Sequence, residues 1–132
     1  MLKIGERAEF SKTITETDIS LFAAVTGDFN GIHTNAEVAK NTVFGDRIAH
    51  GLLTAGLIST VLGMYYPGSG TVYLSQNLKF LKPVYIGDTI TAIVVLTQII
   101  DENKGIYKLE TICQNQKNVM VLSGEAVVQY KE

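Results

Sequence analysis

Asp28, Asn30 and His33 fall within one short segment, Asp-Phe-Asn-Gly-Ile-His, and an apolar helix-like run opens further on at His50-Gly51. A carboxylate and an imidazole in one loop are the groups of a general acid/base pair. The start of a helix adds free backbone N–H groups, which receive negative charge as it develops on a carbonyl oxygen. Together these are the parts of an acid/base site for a carbonyl substrate.

Taken singly, each residue has a plainer reading. Asp28, directly after Gly27, suits a loop cap, because Asp bonds its own backbone in turns. His33 alone reads as a structural histidine, and His50 as an organiser of the helix start. The chain has only these two histidines and one cysteine, Cys113, so no metal-ligand spacing exists and no metal is expected. Cys113 lies in an alternating, strand-like stretch and reads as an inert, partly buried thiol in a reducing compartment.

The loop and the helix start are positioned by elements that the residue pattern predicts. Residues 6–14 read as an opening strand. Thr15-x-x-Asp18 has the form of a helix start, with Thr15 as N-cap and an acid three positions on, and Ile19, Phe22, Ala23 and Thr26 follow at helical spacing. Gly27 ends that helix, which leaves Asp28 at the head of the loop. A short helix over residues 35–40 follows, capped by Thr34 or Asn35. Residues 51–64 are apolar on nearly every face, which predicts a helix buried on all sides. At ~1.5 Å per residue it would be about 20 Å long.

After Pro67-Gly68-Ser69-Gly70 the period becomes two. Strands are expected over residues 72–80, 89–100, 106–114 and 119–130, the last three separated by turn sequences at 101–105 and 115–117. Consecutive strands with short turns predict an antiparallel meander. Such a sheet and one very apolar helix are both satisfied if the sheet curls around the helix, giving an α+β hotdog fold as a single domain over residues 1–132. A half-wrapped sheet leaves an edge strand, so a homodimer joined edge to edge is expected, with higher homo-oligomers open.

Composition narrows the partners. Eleven Lys and Arg against 13 Asp and Glu give a net charge of -2 with no basic run, which argues against nucleic acid. The longest apolar stretch, residues 52–66, is too short and too interrupted by Gly, Ser and Thr to cross a bilayer, so no membrane partner is expected. The N-terminus lacks the apolar core of a signal peptide. A soluble, cytoplasmic protein acting on a small molecule is the expectation.

At the level of motifs, GDFNGIHTN at residues 27–35 and FGDRIAHGLLTAGLIS at 44–59 resemble the signature of the MaoC-like, R-specific enoyl-CoA hydratases, D-x-N-P-x-H followed by an A-H-G helix start. The stretch YLSQNLKFLKPVYIGDTI, residues 73–90, is also similar to that family. One position departs: Gly31 stands where the family has proline.

The resemblance implies hydration of a trans-2-enoyl-CoA to a (3R)-3-hydroxyacyl-CoA, or the reverse dehydration, with CoA as part of the substrate and no separate cofactor. Asp28 and His33 would hold the water and divide the two proton transfers, worth ~10²–10⁴ in rate. Asn30 would shape the loop and bond Asp28. The Gly51 N–H would receive the thioester oxygen, worth ~3 kcal/mol by analogy with other oxyanion donors. Leu62 and Val127 would line the acyl end. Ser59 would either bond Asp28 or back-bond to its own helix. Lys79, Lys82 and Arg47 read equally well as CoA contacts or as solvated charges.

Three alternatives stay open. A 3-hydroxyacyl-acyl-carrier-protein dehydratase would run the same chemistry on another carrier. A hotdog thioesterase usually draws a carboxylate from the helix, and residues 52–64 contain no Asp or Glu. A non-catalytic acyl-CoA-binding module would not need Asp28 and His33 together.

Overall fold

Thr15 Oγ1 accepts the Asp18 N–H at 3.1 Å and Asp18 Oδ2 accepts the Thr15 N–H at 2.9 Å in the computed structural model, which describes residues 1–132. This reciprocal pair starts helix α1, Glu16–Thr26, and Gly27 ends it in a left-handed conformation with φ 82°. Strand β1, Arg7–Thr13, precedes it.

The predicted loop holds an unpredicted helical turn, α2, Gly31–Thr34, whose N-cap Asn30 accepts the Ile32 N–H on Oδ1 at 3.1 Å. Four residues carry no amphipathic period, so the turn left only its cap as a signal. Helix α3, Ala36–Lys40, is capped by Asn35 rather than Thr34, since Asn35 Oδ1 accepts from both Glu37 and Val38.

The apolar helix α4, Gly51–Thr60, runs on into one turn of π-helix, Val61–Tyr65. It is not buried on all sides. Thr54, Leu57, Ile58, Val61 and Leu62 face the core, whereas Leu52 is 61% exposed and Gly56, Ser59 and Gly63 lie exposed at helical spacing behind it. The physical reason is coverage: a five-stranded sheet curls around one side of the helix and is too narrow to close over the other.

The sheet comprises β1, β2 (Val72–Phe80), β3 (Thr89–Asp101), β4 (Ile106–Gln114) and β5 (Met120–Gln129), with spatial order β1-β3-β4-β5-β2, all pairs antiparallel. Only β3, β4 and β5 form the expected meander. Strand β2 pairs with β5 instead of β3, which corrects the simple order and sends residues 81–88 across one end of the sheet. There Val84 O accepts the Ala49 N–H at 2.7 Å, tying the crossing to the approach of α4. Leu96, Leu109, Cys113, Leu122, Ala126 and Val128 form the sheet's inner layer, in one core with Leu57 and Ile58 of α4 and Val61 and Leu62 beyond it. This is the hotdog architecture that the sequence predicted.

Candidate active site

Where the residues 81–88 crossing passes the start of α4, a cavity of about 470 Å³ opens. Its walls are mainly apolar, with Phe22, Phe44, Leu52, Phe80, Val84 and Leu122 among them. Its polar groups are few and converge: Asp28, His33, His50, Gly51, Thr54 and, at the rim, Lys82. A largely apolar pocket with a few placed polar groups is the usual form of a small-molecule site.

Helix α1 delivers Asp28 through its Gly27 cap, and α2 delivers His33. The carboxyl group of Asp28 accepts the Asn30 N–H on Oδ1 at 3.2 Å, so Asn30 bonds Asp28 through its main chain while its side chain caps α2. His33 Nδ1 lies 2.7 Å from the Ile48 carbonyl oxygen. A carbonyl can only accept, so Nδ1 carries the proton and Nε2 of the neutral ring keeps a lone pair.

His50 joins them. Its Nε2 donates to the Asp28 carbonyl oxygen at 3.0 Å, and its ring stacks on His33 with centroids 3.9 Å apart and planes 27° apart. Phe22 closes the other side at 4.8 Å, tilted by 50°. The sequence placed His50 outside the site as an organiser of the helix start, yet it is the N-cap residue and makes no side-chain cap bond. The signal available was its place beside Gly51.

Gly51 begins α4 beneath the Phe80 ring, and a Cβ built on it would stand 2.5 Å from Phe80 Cε1. The Gly51 and Leu52 N–H groups have no acceptor within the protein, as the first turn of a helix requires, and both residues border the cavity. They supply a place for an oxyanion within the same cavity as Asp28 and His33.

Asp28, His33 and His50 each offer a ligand atom, all within 4.8 Å of one another. Imidazole lone pairs lie in the ring plane, however, so two stacked rings direct them side by side instead of at one ion. His33 Nδ1 and His50 Nε2 are also committed to carbonyls. The arrangement fits proton transfer better than metal coordination.

Other expected residues lie elsewhere. Ser59 is exposed and bonds neither Asp28 nor its own helix. Leu62 is 1% exposed within the core and does not border the cavity. Val127 pairs with Lys108 and Ser75 in register, on the sheet face opposite the buried Ala126 and Val128, so it points away from α4. Period-two alternation fixes that: neighbours in a strand face opposite sides. Val121 and Leu122 of β5 line the cavity instead. Arg47 pairs with Glu16 at 2.7 Å, and of Lys79, Lys82 and Arg47 only Lys82 borders the cavity. Cys113 is fully buried, and burial pushes its thiol up to about 12, so it is no nucleophile.

The family described as MaoC like domain matches residues 2–117. An (R)-specific enoyl-CoA hydratase of Rhodospirillum rubrum is 48% identical over 127 residues, covering 96% of this chain and 87% of the relative. A 3-hydroxybutyryl-CoA dehydratase of Methylorubrum extorquens is 46% identical over 127 residues, covering 96% and 80%. Among solved structures, an (R)-hydratase from A. caviae involved in PHA biosynthesis superposes with a TM-score of 0.94 at 39% identity, over 98% of each chain.

Proposed function

The chain belongs to the MaoC-like domain family, and on that premise we propose that Asp28 and His33 act as its acid/base pair on an enoyl thioester. The protein is an enoyl-CoA hydratase, adding water to a trans-2-enoyl-CoA to give a (3R)-3-hydroxyacyl-CoA and catalysing the reverse dehydration. The observation that carries the role assignment is the meeting of the Asp28 carboxylate and the His33 imidazole, within 4.8 Å, on the wall of a cavity that the free Gly51 amide also borders.

In hydration, the thioester oxygen sits at the Gly51 N–H while water lies between Asp28 and His33. The water oxygen bonds to C3 as one of its protons leaves to the pair. Charge gathers on the thioester oxygen, where helix-start amides stabilise it, and C2 then takes a proton from the pair. The unprotonated His33 Nε2 suits the accepting role. The cavity's apolar wall at Val121 and Leu122 suits the acyl chain, and Lys82 at its rim suits the carrier's phosphates.

Two features support a homodimer. Strand β2 pairs only with β5 and leaves its other edge open, with Val72, Leu74 and Phe80 exposed. The uncovered stripe of α4 lies exposed as well. No helix is long and apolar enough to cross a membrane, and the one buried, unpaired cysteine is in keeping with a reducing cytoplasm.

The deciding assay mixes the protein with crotonyl-CoA while following the conjugated enoyl absorbance and, with a thiol reagent, free CoA. Loss of absorbance without free thiol is the expected result. Release of CoA would mean a thioesterase instead, and no change in either would mean a binding module. Crotonyl-acyl-carrier protein in a parallel assay separates the two carriers.

A further inference from the structure

We propose that His50 is a positioning residue for the acid/base pair: it pins the Asp28 main chain and fixes the plane of the His33 ring, so that the two reacting groups keep their separation. The inference rests on Asp28 and His33 being that pair. Asp28 is exposed and its other bonds are local, to Thr26 Oγ1 and from the Asn30 N–H. The His50 Nε2–H reaches its carbonyl from 22 residues away and is the one distant tether on it. The same ring, held between Phe22 and His33, sets the face against which His33 lies.

A purely structural reading does not account for the imidazole. His50 is 2% exposed and its Nδ1 has no partner in the protein. A buried polar atom left unpaired destabilises a fold, and an apolar ring of similar size would avoid the cost. Capping α4 is not the compensation either, because His50 makes no side-chain cap bond. What a histidine supplies here and a phenylalanine cannot is the single donation to Asp28.

Two experiments test this. A long-range ¹H–¹⁵N spectrum of the wild-type protein should show His50 with its proton on Nε2 and His33 with its proton on Nδ1. The opposite tautomer at His50 overturns the proposal, whatever any variant does. In steady-state hydration of crotonyl-CoA, His50→Phe keeps the ring stack and removes the donor; kcat should fall about thirtyfold with KM within about twofold, within the range for disturbing a positioned acid or base. His50→Gln, which offers an amide N–H at similar reach, should recover much of that loss. In a His33→Ala background, His50→Phe should cost almost nothing further, since it acts through the pair. If His50→Phe stays within about twofold of wild-type kcat, the positioning role fails while the acid/base reading stands. If the wild-type protein does not hydrate crotonyl-CoA at all, the acid/base reading itself fails.

Discussion

His33 and His50 lie face to face, ring centroids 3.9 Å apart, and each donates to a main-chain carbonyl of the other's segment: His33 to Ile48, His50 to Asp28. The loop after α1 and the approach to α4 are therefore clasped at two points by side chains, in addition to the Ile48 N–H to Ile32 carbonyl bond at 3.2 Å. A flexible loop carrying a carboxylate becomes a fixed wall of the cavity.

If Asp28 and His33 share the proton transfers, removing either should collapse turnover without unfolding the domain. Asp28→Asn and His33→Ala are each expected to lower kcat at least about a hundredfold. Asp28 is exposed and the rest of the clasp persists in each variant, so thermal unfolding should move little. Near wild-type turnover in either variant would remove that residue from the chemistry.

Much of this was legible in the sequence because its signals were local. Thr15 and Asp18 box a helix start, Gly27 ends it, and a period of two marks β3 to β5. What was not legible depends on non-local placement. That β2 crosses to β5 follows from how the sheet curls, and no residue in β2 states it. The all-round apolarity of α4 suggested complete burial because hydrophobicity does not reveal how wide the covering sheet is. Leu62 and Val127 came from family likeness; the first is core, and the second lies on the outer face by strand parity. The role of His50 was hidden because its partners lie 22 and 17 residues away in sequence.

Gly31 is the family departure with a structural account. It occupies the first position of α2, where proline is at home, and its N–H makes no hydrogen bond in the protein. Asn30 before it has φ -50° and ψ 130°, which a following proline accepts. A Cβ would meet Val38 Cγ1 at 3.0 Å, but Val38 is half-exposed on a short surface helix and can give by the few tenths needed. Gly31→Pro is thus expected to stabilise by up to about 1 kcal/mol, chiefly by restricting the unfolded chain. Urea unfolding measures it, and a lower midpoint would show that Val38 cannot yield.

Gly51 tests the oxyanion place. In Gly51→Ala the methyl would crowd Phe80 at 2.5 Å, and that ring is 56% exposed and free to swing outward. The fold should survive, whereas kcat/KM should fall by up to about a hundredfold as the methyl obstructs approach to the amide. Adding Phe80→Ala should relieve any stability loss but leave the activity low. Recovery of activity in the double variant would mean that the Phe80 ring, not the methyl, was in the way.

Alkaline pH should destabilise the protein through Cys113 and Tyr73. Burial raises the Cys113 thiol from 9.0 to about 12 and the Tyr73 phenol from 10.0 to about 12. Well below pH 9 both are protonated whether the chain is folded or not, so their contribution is fully present. Between 9 and 12 the unfolded chain sheds protons that the folded one keeps, and stability falls as pH rises. The urea midpoint should therefore drop from pH 8.5 to about 10.5, with Cys113→Ala showing a shallower decline. Equal slopes for the two proteins would acquit Cys113.

Thr54 carries the other unpaired buried polar atom at this site, besides His50 Nδ1. Its side chain borders the cavity one helical turn beyond His50, the residue is 2% exposed, and Oγ1 has no hydrogen-bond partner in the protein. Val has nearly the same shape without the hydroxyl, so Thr54→Val exchanges an uncompensated polar burial for an apolar one. The change should stabilise by about 1 kcal/mol, raising the unfolding temperature by a few degrees. A fall in that temperature would show that the hydroxyl holds a partner such as an ordered water, and a matching rise in KM for crotonyl-CoA would place that partner on the substrate's path.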